Sequence, residues 1–479
     1  MSVPEQFLES IGRLPGIDVE DFARAMGEAP SVGIRVNAAK GVADAVAAGY
    51  PGCGRVLWAS NGFYIDGRPR FTLNPLLHAG GFYVQDPSSM VYERLGAFAL
   101  SLLGDLSAPA VLDMCAAPGG KTTALCAALP PDAVVIANEY EPRRVGALRE
   151  NLTKWGWSAS AVTNSDTSAF ARAGELFDIV AVDAPCSGEG MMRKDEDAVA
   201  QWGESLTRSC AALQREILAN AVATLRPGGV LIYSTCTFNR RENEDNLLWA
   251  IEQFGLIPED TGLAGVGGIL PSVDPSVPAL RFMPHATRGE GLFAAVLRKP
   301  GDCEPALLPL TAGFASGKKG KKDKNKKGGK RGGKGSKVEI PDFSGWLEDG
   351  HEWIFRPDVK GESVAALTPA LAAICDSLRP YAKIVQEGVT VALRKGNGWI
   401  PAHPLALSQD YRREAFPSVG LDRETALRYL HRDAVTLPAD TPLGIVAVTH
   451  AGLPLGFLNN LGSRANNLYP HSWKIRLDL

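Results

Sequence analysis

The sequence predicts an α/β protein: a parallel sheet covered by helices on both faces, with a mixed α/β segment before it and a small β-rich domain after it. Three observations carry this expectation. Short apolar runs alternate with helix-like runs between about residues 110 and 236, the pattern of a doubly covered parallel sheet. A Lys- and Gly-rich run, "KKGKKDKNKKGGKRGGKGSK" (318 to 337), divides the chain. Beyond it, "GIVAVTHAGLPLGFL" (444 to 458) reads as two β-rich runs around a Gly-containing turn, hence a hairpin.

The elements follow in order. "AVLDMC" (110 to 115) is a buried-strand candidate, followed by the small-residue loop "AAPGGK" and the helix-like "TTALCAAL". "AVVIANE" (133 to 139) is a second strand and precedes a helix over 142–155. "ASAVTNSD" leads to "FDIVAVD" (177 to 183), a further strand. A helical pattern covers about 205–224, "RPGG" breaks it, and "VLIYSTC" (230 to 236) follows as a strand. The expected division is a flanking segment over 1–95, the α/β core over 96–300, a linker over 301–340 and a C-terminal region over 341–479. In open sheets of this kind ligands bind beyond the carboxyl ends of the strands. Each conspicuous polar cluster lies at such an end.

At 479 residues the chain exceeds one ordinary core. No stretch approaches the roughly 18 apolar residues of a membrane span. The start shows no basic segment followed by an apolar one, so a cytoplasmic protein is expected. The eight cysteines form no C-x-x-C pair and no cluster with zinc-ligand spacing, so neither a disulfide framework nor a metal site is expected. Cys126, Cys210 and Cys375 read as buried apolar residues. The net charge of −3 hides an asymmetry, because residues 318–337 hold eleven basic residues and one acidic one. Such a run cannot bury a core. It is expected to be a disordered linker and a mobile polycation for phosphates.

"DMCAAPGGKT" (113 to 122) combines a strand end, a small-residue loop and a helix start. Gly119 and Gly120 permit close backbone approach to a ligand. The spacing fits neither a P-loop nor G-x-G-x-x-G. Cys115, Ala116, Ala117, Pro118, Gly119, Gly120 and Lys121 form the candidate cofactor loop. Glu139 ends the second strand, where an acid commonly grips ribose hydroxyls. Asp166 and Asp183 stand at later strand tips, and this succession of acids suits a cationic nucleoside such as S-adenosylmethionine. "VDAPCSGEGMM" (182 to 192) and "YSTCTFNRRENED" (233 to 245) then place Cys186 and Cys236 at two strand ends. A thiolate is the reactive form of cysteine and needs local activation at neutral pH.

"CAAPGGKT", "DAPCSGEG" and "STCT…NE", in this order and spacing, resemble the Nop/Sun family of RNA cytosine-5 methyltransferases. "IRVN" (34 to 37), "GFYVQDPSS" (81 to 89) and "RFMPHATRGEGLF" (281 to 293) look like that family's flanking signatures. "LGFLNNLGSRANNLYPHSW" is similar to the PUA-like tail of its bacterial RsmF/YebU-like branch, which modifies small-subunit rRNA. The resemblance implies a Rossmann-like, S-adenosylmethionine-dependent core with an N-terminal mixed extension and a C-terminal PUA-like domain. It also implies Cys236 as the nucleophile at cytosine carbon 6, Cys186 as the residue that resolves the adduct, and Asp183 on the N3/N4 edge. DNA cytosine methyltransferases attack with the P-C cysteine instead. The implied partner is 16S rRNA or the small subunit, met by a monomer without metal or membrane. A tRNA substrate is the alternative within enzymes, and a non-catalytic RNA-binding assembly factor the alternative outside them.

A target base must leave its stack to meet a thiolate. Arg35, Arg193, Lys194, Arg281 and His285 flank the expected cleft as candidate phosphate contacts. Trp399, Arg464, Tyr469, His471, Trp473 and Lys474 offer stacking and phosphate binding in the C-terminal region.

Overall fold

The structure, a computed structural model, describes residues 3–50, 53–302 and 340–477; the basic run 318–337 lies outside the described residues. At its centre five parallel strands lie side by side in the order Ser160–Thr163, Val134–Asn138, Ala110–Asp113, Phe177–Asp183 and Leu225–Thr235. Leu292–Arg298, Ala279–Phe282 and Leu270–Pro271 continue the sheet in antiparallel fashion. The chain order reverses at Ala110–Asp113, so the switch point falls beside the tips of that strand and of Phe177–Asp183.

Burial on both faces explains the unbroken apolar strands. Leu112, Ile136 and Val180 pack with Ile217, Leu218 and Ala221 of the helix Glu204–Thr224. Val111, Val135 and Ile179 pack on the other face with Tyr92, Leu95 and Ala99 of the helix Tyr92–Leu103. The helix expected over 142–155 is Pro142–Trp155. Pro142 opens it, the Glu141 carboxylate accepts from Arg143 N–H, and Gly156 ends it at φ +86°. "RPGG" behaves differently from the expected break. Leu225 already pairs with Phe177, and pairing resumes at Val230 opposite Ile179, so the tetrapeptide bulges out of a continuous strand.

In the N-terminal segment Val32–Val36 lies between Gly62–Ile65 and Phe82–Val84. Beyond the basic run, Ile354–Pro357, Ser363–Leu367, Val389–Lys395 and Gly398–Pro401 form one antiparallel sheet. The expected hairpin is Gly444–His450 with Leu453–Asn460, flanked by Ser418–Gly420 and Ala465–Asn467.

Two contacts join these parts. Ile384–Glu387 pairs antiparallel with Ser160–Thr163, so the C-terminal region contributes a strand to the edge of the core sheet. Lys40 Nζ donates to the carbonyls of Ala79 (2.6 Å), Lys154 (2.8 Å) and Leu407 (3.0 Å), one acceptor from each of three parts of the chain.

Candidate active site

The site forms where four strand tips meet. Ala110–Asp113 runs into the loop 114–119, whose Ala116 N–H donates to Asn138 at the tip of the neighbouring strand (2.8 Å). Asn138 Nδ2 also binds the carbonyls of Met114 (3.1 Å) and Ser165 (3.0 Å), fixing three tips relative to one another. The two glycines serve packing. A Cβ on Gly119, already at φ +106°, would lie 3.2 Å from Leu148 Cδ1, and one on Gly120 would lie 3.1 Å from Tyr83 Cε1.

The acids differ in their partners. Glu139 is buried; its Oε1 accepts from Glu141 N–H (2.8 Å) and its Oε2 faces Arg144 at 3.4 Å. Asp166 is exposed and accepts from Ser168 N–H at 2.9 Å, and hydrogen bonding with Ser168 holds its carboxyl below the usual carboxylate value. Asp183 accepts from Lys121 Nζ at 2.8 Å and from Ser234 Oγ at 2.7 Å, and Ser234 shares a 2.7 Å hydrogen bond with the buried Tyr92 hydroxyl. Sequence reasoning missed Asp113. Burial pushes its carboxyl up to about 7, its Oδ2 accepts from Thr122 (2.6 Å), and its Oδ1 has no partner among the described residues. Cys115 lies amid these groups, its thiol pushed well up by burial and then by Asp113, Asp183 and Glu139. The loop, Glu139 and Asp183 thus converge, with Asp166 at the solvent side of the cluster. A buried, unpartnered carboxyl oxygen within a ring of acids fits a cationic nucleoside carrying a sulfonium.

Beyond Asp183 lie the two thiols, with Cys186 Sγ 3.2 Å from Cys236 Sγ. The hydrogen bond from Cys186 draws the Cys236 thiol below its ordinary value, against burial and Asp183, with help from Lys121 and Lys194. The same bond, then burial and then Glu242, hold Cys186 well above its own. The surroundings therefore favour ionisation at Cys236 over Cys186, and either sulfur can donate in the contact between them.

Two buried carboxylates set the loops in register. Glu242 accepts from Ser187 N–H (3.0 Å) and Gln214 Nε2 (2.8 Å), while Glu189 accepts from the backbone of Phe238 (2.6 Å) and Asn239 (3.0 Å). Asn239 Nδ2 bridges them, donating to Glu242 Oε1 (2.7 Å) and Glu189 Oε1 (3.0 Å). Glu189 lies within "DAPCSGEG", three residues beyond Cys186, and Glu242 six residues beyond Cys236; nothing else in the sequence marks their bridging role.

Several expected phosphate contacts are engaged internally. Arg35 is fully buried on the Trp155 ring at 4.3 Å and donates to Gln85, Thr123 and Gly120, bracing the cofactor loop. Arg281, also buried, binds Glu244 (2.8 and 2.5 Å) and the Phe238 carbonyl (2.7 Å), holding the loop after Cys236. Arg193 donates to the carbonyls of Gly289 and Ala29 and lies 3.7 Å from Glu290. Burial lowers His285 below its ordinary value and disfavours the charged ring, against Asp21 and Asp18. Lys194 remains exposed. Further along the chain, Tyr469 is buried, Trp399 packs beside Phe343 and Trp473 beside His403, which leaves Arg464 and His471 exposed. Cys126 and Cys375 are buried as expected, whereas Cys210 is half-buried.

The switch-point acids and the glycine loop belong to an S-adenosylmethionine-dependent methyltransferase, and S-adenosylmethionine is the cofactor of this chain. Residues 102–298 match the family described as 16S rRNA methyltransferase RsmB/F, residues 3–87 the N-terminal domain of 16S rRNA methyltransferase RsmF, and residues 416–475 the methyltransferase RsmF PUA domain. A ribosomal RNA small subunit methyltransferase F from Pectobacterium atrosepticum is 32% identical over 98% of this chain and 95% of its own. One from Citrobacter koseri is 31% identical over the same shares, 98% and 95%. The chain belongs to this ribosomal RNA small subunit methyltransferase F family. Among solved structures, one described as PH0851 aligns with 62% of this chain and 66% of its own, at 25% identity and a TM-score of 0.56. NSun6 from Pyrococcus horikoshii with SFG shares the fold, at 21% identity and a TM-score of 0.52 over 63% of this chain and 99% of its own.

Proposed function

We propose that the enzyme methylates carbon 5 of a cytosine in small-subunit (16S) rRNA through a covalent adduct on Cys236. The observation that carries this reading is the 3.2 Å approach of the two thiols at adjacent strand tips, beyond Asp183. Carbon 5 of cytosine is a poor nucleophile until a thiolate adds to carbon 6 and converts the ring to an enamine. Cys236 is the group for that addition. Asp183 receives hydrogen bonds from Lys121 and Ser234, an arrangement that orients it to accept from the exocyclic amine and from a protonated N3. The bound cofactor supplies the electrophilic methyl group. Residues 115–121, Glu139, Asp166 and Asp183 would hold it, with Asp113 beneath. Cys186, beside the attacking sulfur, would first lose its own proton to solvent; as a thiolate it takes the carbon-5 proton, the carbon 5–carbon 6 double bond re-forms, and Cys236 leaves as the thiolate.

None of the described helices is long and apolar enough to cross a membrane, and the reading places the enzyme in the cytoplasm, acting as a monomer. Bisulfite sequencing of small-subunit rRNA from cells with and without the gene tests it. One cytosine should lose protection in the deletion strain; an unchanged rRNA with a changed tRNA would move the assignment to tRNA.

A further inference from the structure

Between the N-terminal segment and the methyltransferase core runs an open groove of about 660 Å³, lined by residues 28–32, 65–68, Arg193 and 284–289. It shares Pro30, Ser31, Val32 and Arg68 with a recess of about 190 Å³ that ends at Gln85, Asp86, Lys194 and Glu290. The recess lies toward the chemistry, since a Cβ on Gly190 would meet the carbonyls of both Cys236 (2.7 Å) and Glu290 (3.0 Å), so its Glu290 wall adjoins the loop that carries the nucleophile. Its walls sort their cations. Arg193 is held by backbone carbonyls and Glu290. Arg68 and Lys194 are exposed and enter no ion pair or side-chain hydrogen bond among the described residues. Arg288 is exposed too, with only a 3.6 Å contact to the solvent-facing Asp66. Its guanidinium carbon lies over the Tyr64 ring, 4.5 Å from the centroid, and the side chain is otherwise open to solvent.

We propose that this groove holds the single-stranded RNA adjoining the target cytosine, with Lys194 at the catalytic end and Arg68 and Arg288 at the outer end. The inference rests on the function proposed above. Exposed cations along a channel that opens beside the nucleophile match a phosphate backbone, and a planar guanidinium seated on a tyrosine offers a stacking face to an extruded neighbouring base. The wall of the groove comes partly from the N-terminal segment, which gives that segment a role in seating the substrate.

The test uses the full-length enzyme and a short synthetic oligoribonucleotide with a single cytosine flanked by 4-thiouridine. Photocrosslinks should map to residues 64–68 or 284–289. Each single-strand phosphate contact contributes about 0.7 to the slope of log affinity against log salt, so Arg68→Glu with Arg288→Glu should flatten that slope by about 1.4. The paired lysine substitutions should keep the slope and lose the stacking component alone. S-adenosylmethionine affinity and the rate of Cys236 alkylation without RNA, which probe folding and the cofactor pocket, should not change. Crosslinks elsewhere together with an unaltered slope would overturn the groove assignment. Wild-type enzyme that methylates no RNA would overturn the functional reading instead. Capture of a ribosomal protein by the groove residues, with RNA crosslinks absent, would show a protein-docking face and reject the proposal.

Discussion

Cys186 and Cys236 face each other with their sulfurs 3.2 Å apart, although fifty residues separate them in sequence. The parallel pairing of Asp183 with Ser234 brings their strand tips together, and the Glu242–Asn239–Glu189 bridge fixes the loops that follow. This closeness lets the two thiols share a proton, and their surroundings differ: Lys121 and Lys194 favour charge on Cys236, whereas Glu242 opposes it on Cys186.

The cysteines should therefore fail differently. Cys236→Ala should abolish methyl transfer and covalent adducts alike. Cys186→Ala should still attack, leaving a denaturant-resistant protein–RNA species when cofactor is present. A denaturing gel with labelled RNA reads both outcomes, and trapping by the Cys236 variant alone would reverse the roles.

The pH dependence of alkylation provides a second readout. Cys236 owes its lowered value first to the hydrogen bond from Cys186, so its iodoacetamide reactivity should rise at a lower pH than that of an ordinary thiol. In Cys186→Ala that donor is gone, while burial and Asp183 still oppose the charge. The alkylation midpoint should move upward. An unmoved midpoint would mean that Lys121 and Lys194 alone hold the thiolate.

Lys40→Met removes the donor shared by the carbonyls of Ala79, Lys154 and Leu407. An unpaired buried acceptor costs roughly 1–3 kcal/mol. With three acceptors affected, the loss should be on the order of 3 kcal/mol or more, read from urea unfolding. Because the acceptors lie in three parts of the chain, proteolysis should also release the C-terminal region earlier than in wild type.

Much of this architecture was legible because parallel strands advertise themselves. The runs at 110–115, 133–139 and 177–183 are apolar on both faces, and the helix at 142–155 carries its own Pro start and Gly stop. The cysteines and tip acids were legible for a related reason, since polar residues at strand ends must face the switch point. Arg35 and Arg281 were misread because sequence shows a charge without its partner. Trp155 and the Gly120 carbonyl, 120 and 85 positions from Arg35, decide that it is a brace. Strand Ile384–Glu387 joining Ser160–Thr163 was equally hidden, because edge pairing across more than two hundred residues leaves no local pattern.

The last prediction concerns acid stability at the junction of the C-terminal hairpin domain and the N-terminal segment. His403 is buried between Tyr469, at 4.9 Å, and Trp473, at 5.1 Å, and neither ring nitrogen has a partner among the described residues. Burial lowers it to about 3, with Lys154, His78 and Lys40 adding repulsion. His78 is likewise lowered to about 4 by burial and Lys154, against the Thr72 carbonyl. Both values lie below the roughly 6.5 of an unfolded chain. Between those limits the unfolded state binds protons that the folded state refuses, so stability falls as pH falls below about 6.5. Each histidine should contribute a slope approaching 1.4 kcal/mol per pH unit, roughly, until its folded value is reached. Urea unfolding at a series of pH values from 7.5 to 4.5 should show the decline, and His403→Phe, which keeps a ring without a titrating nitrogen, should flatten it. Parallel curves for the two proteins would show that other groups govern acid unfolding.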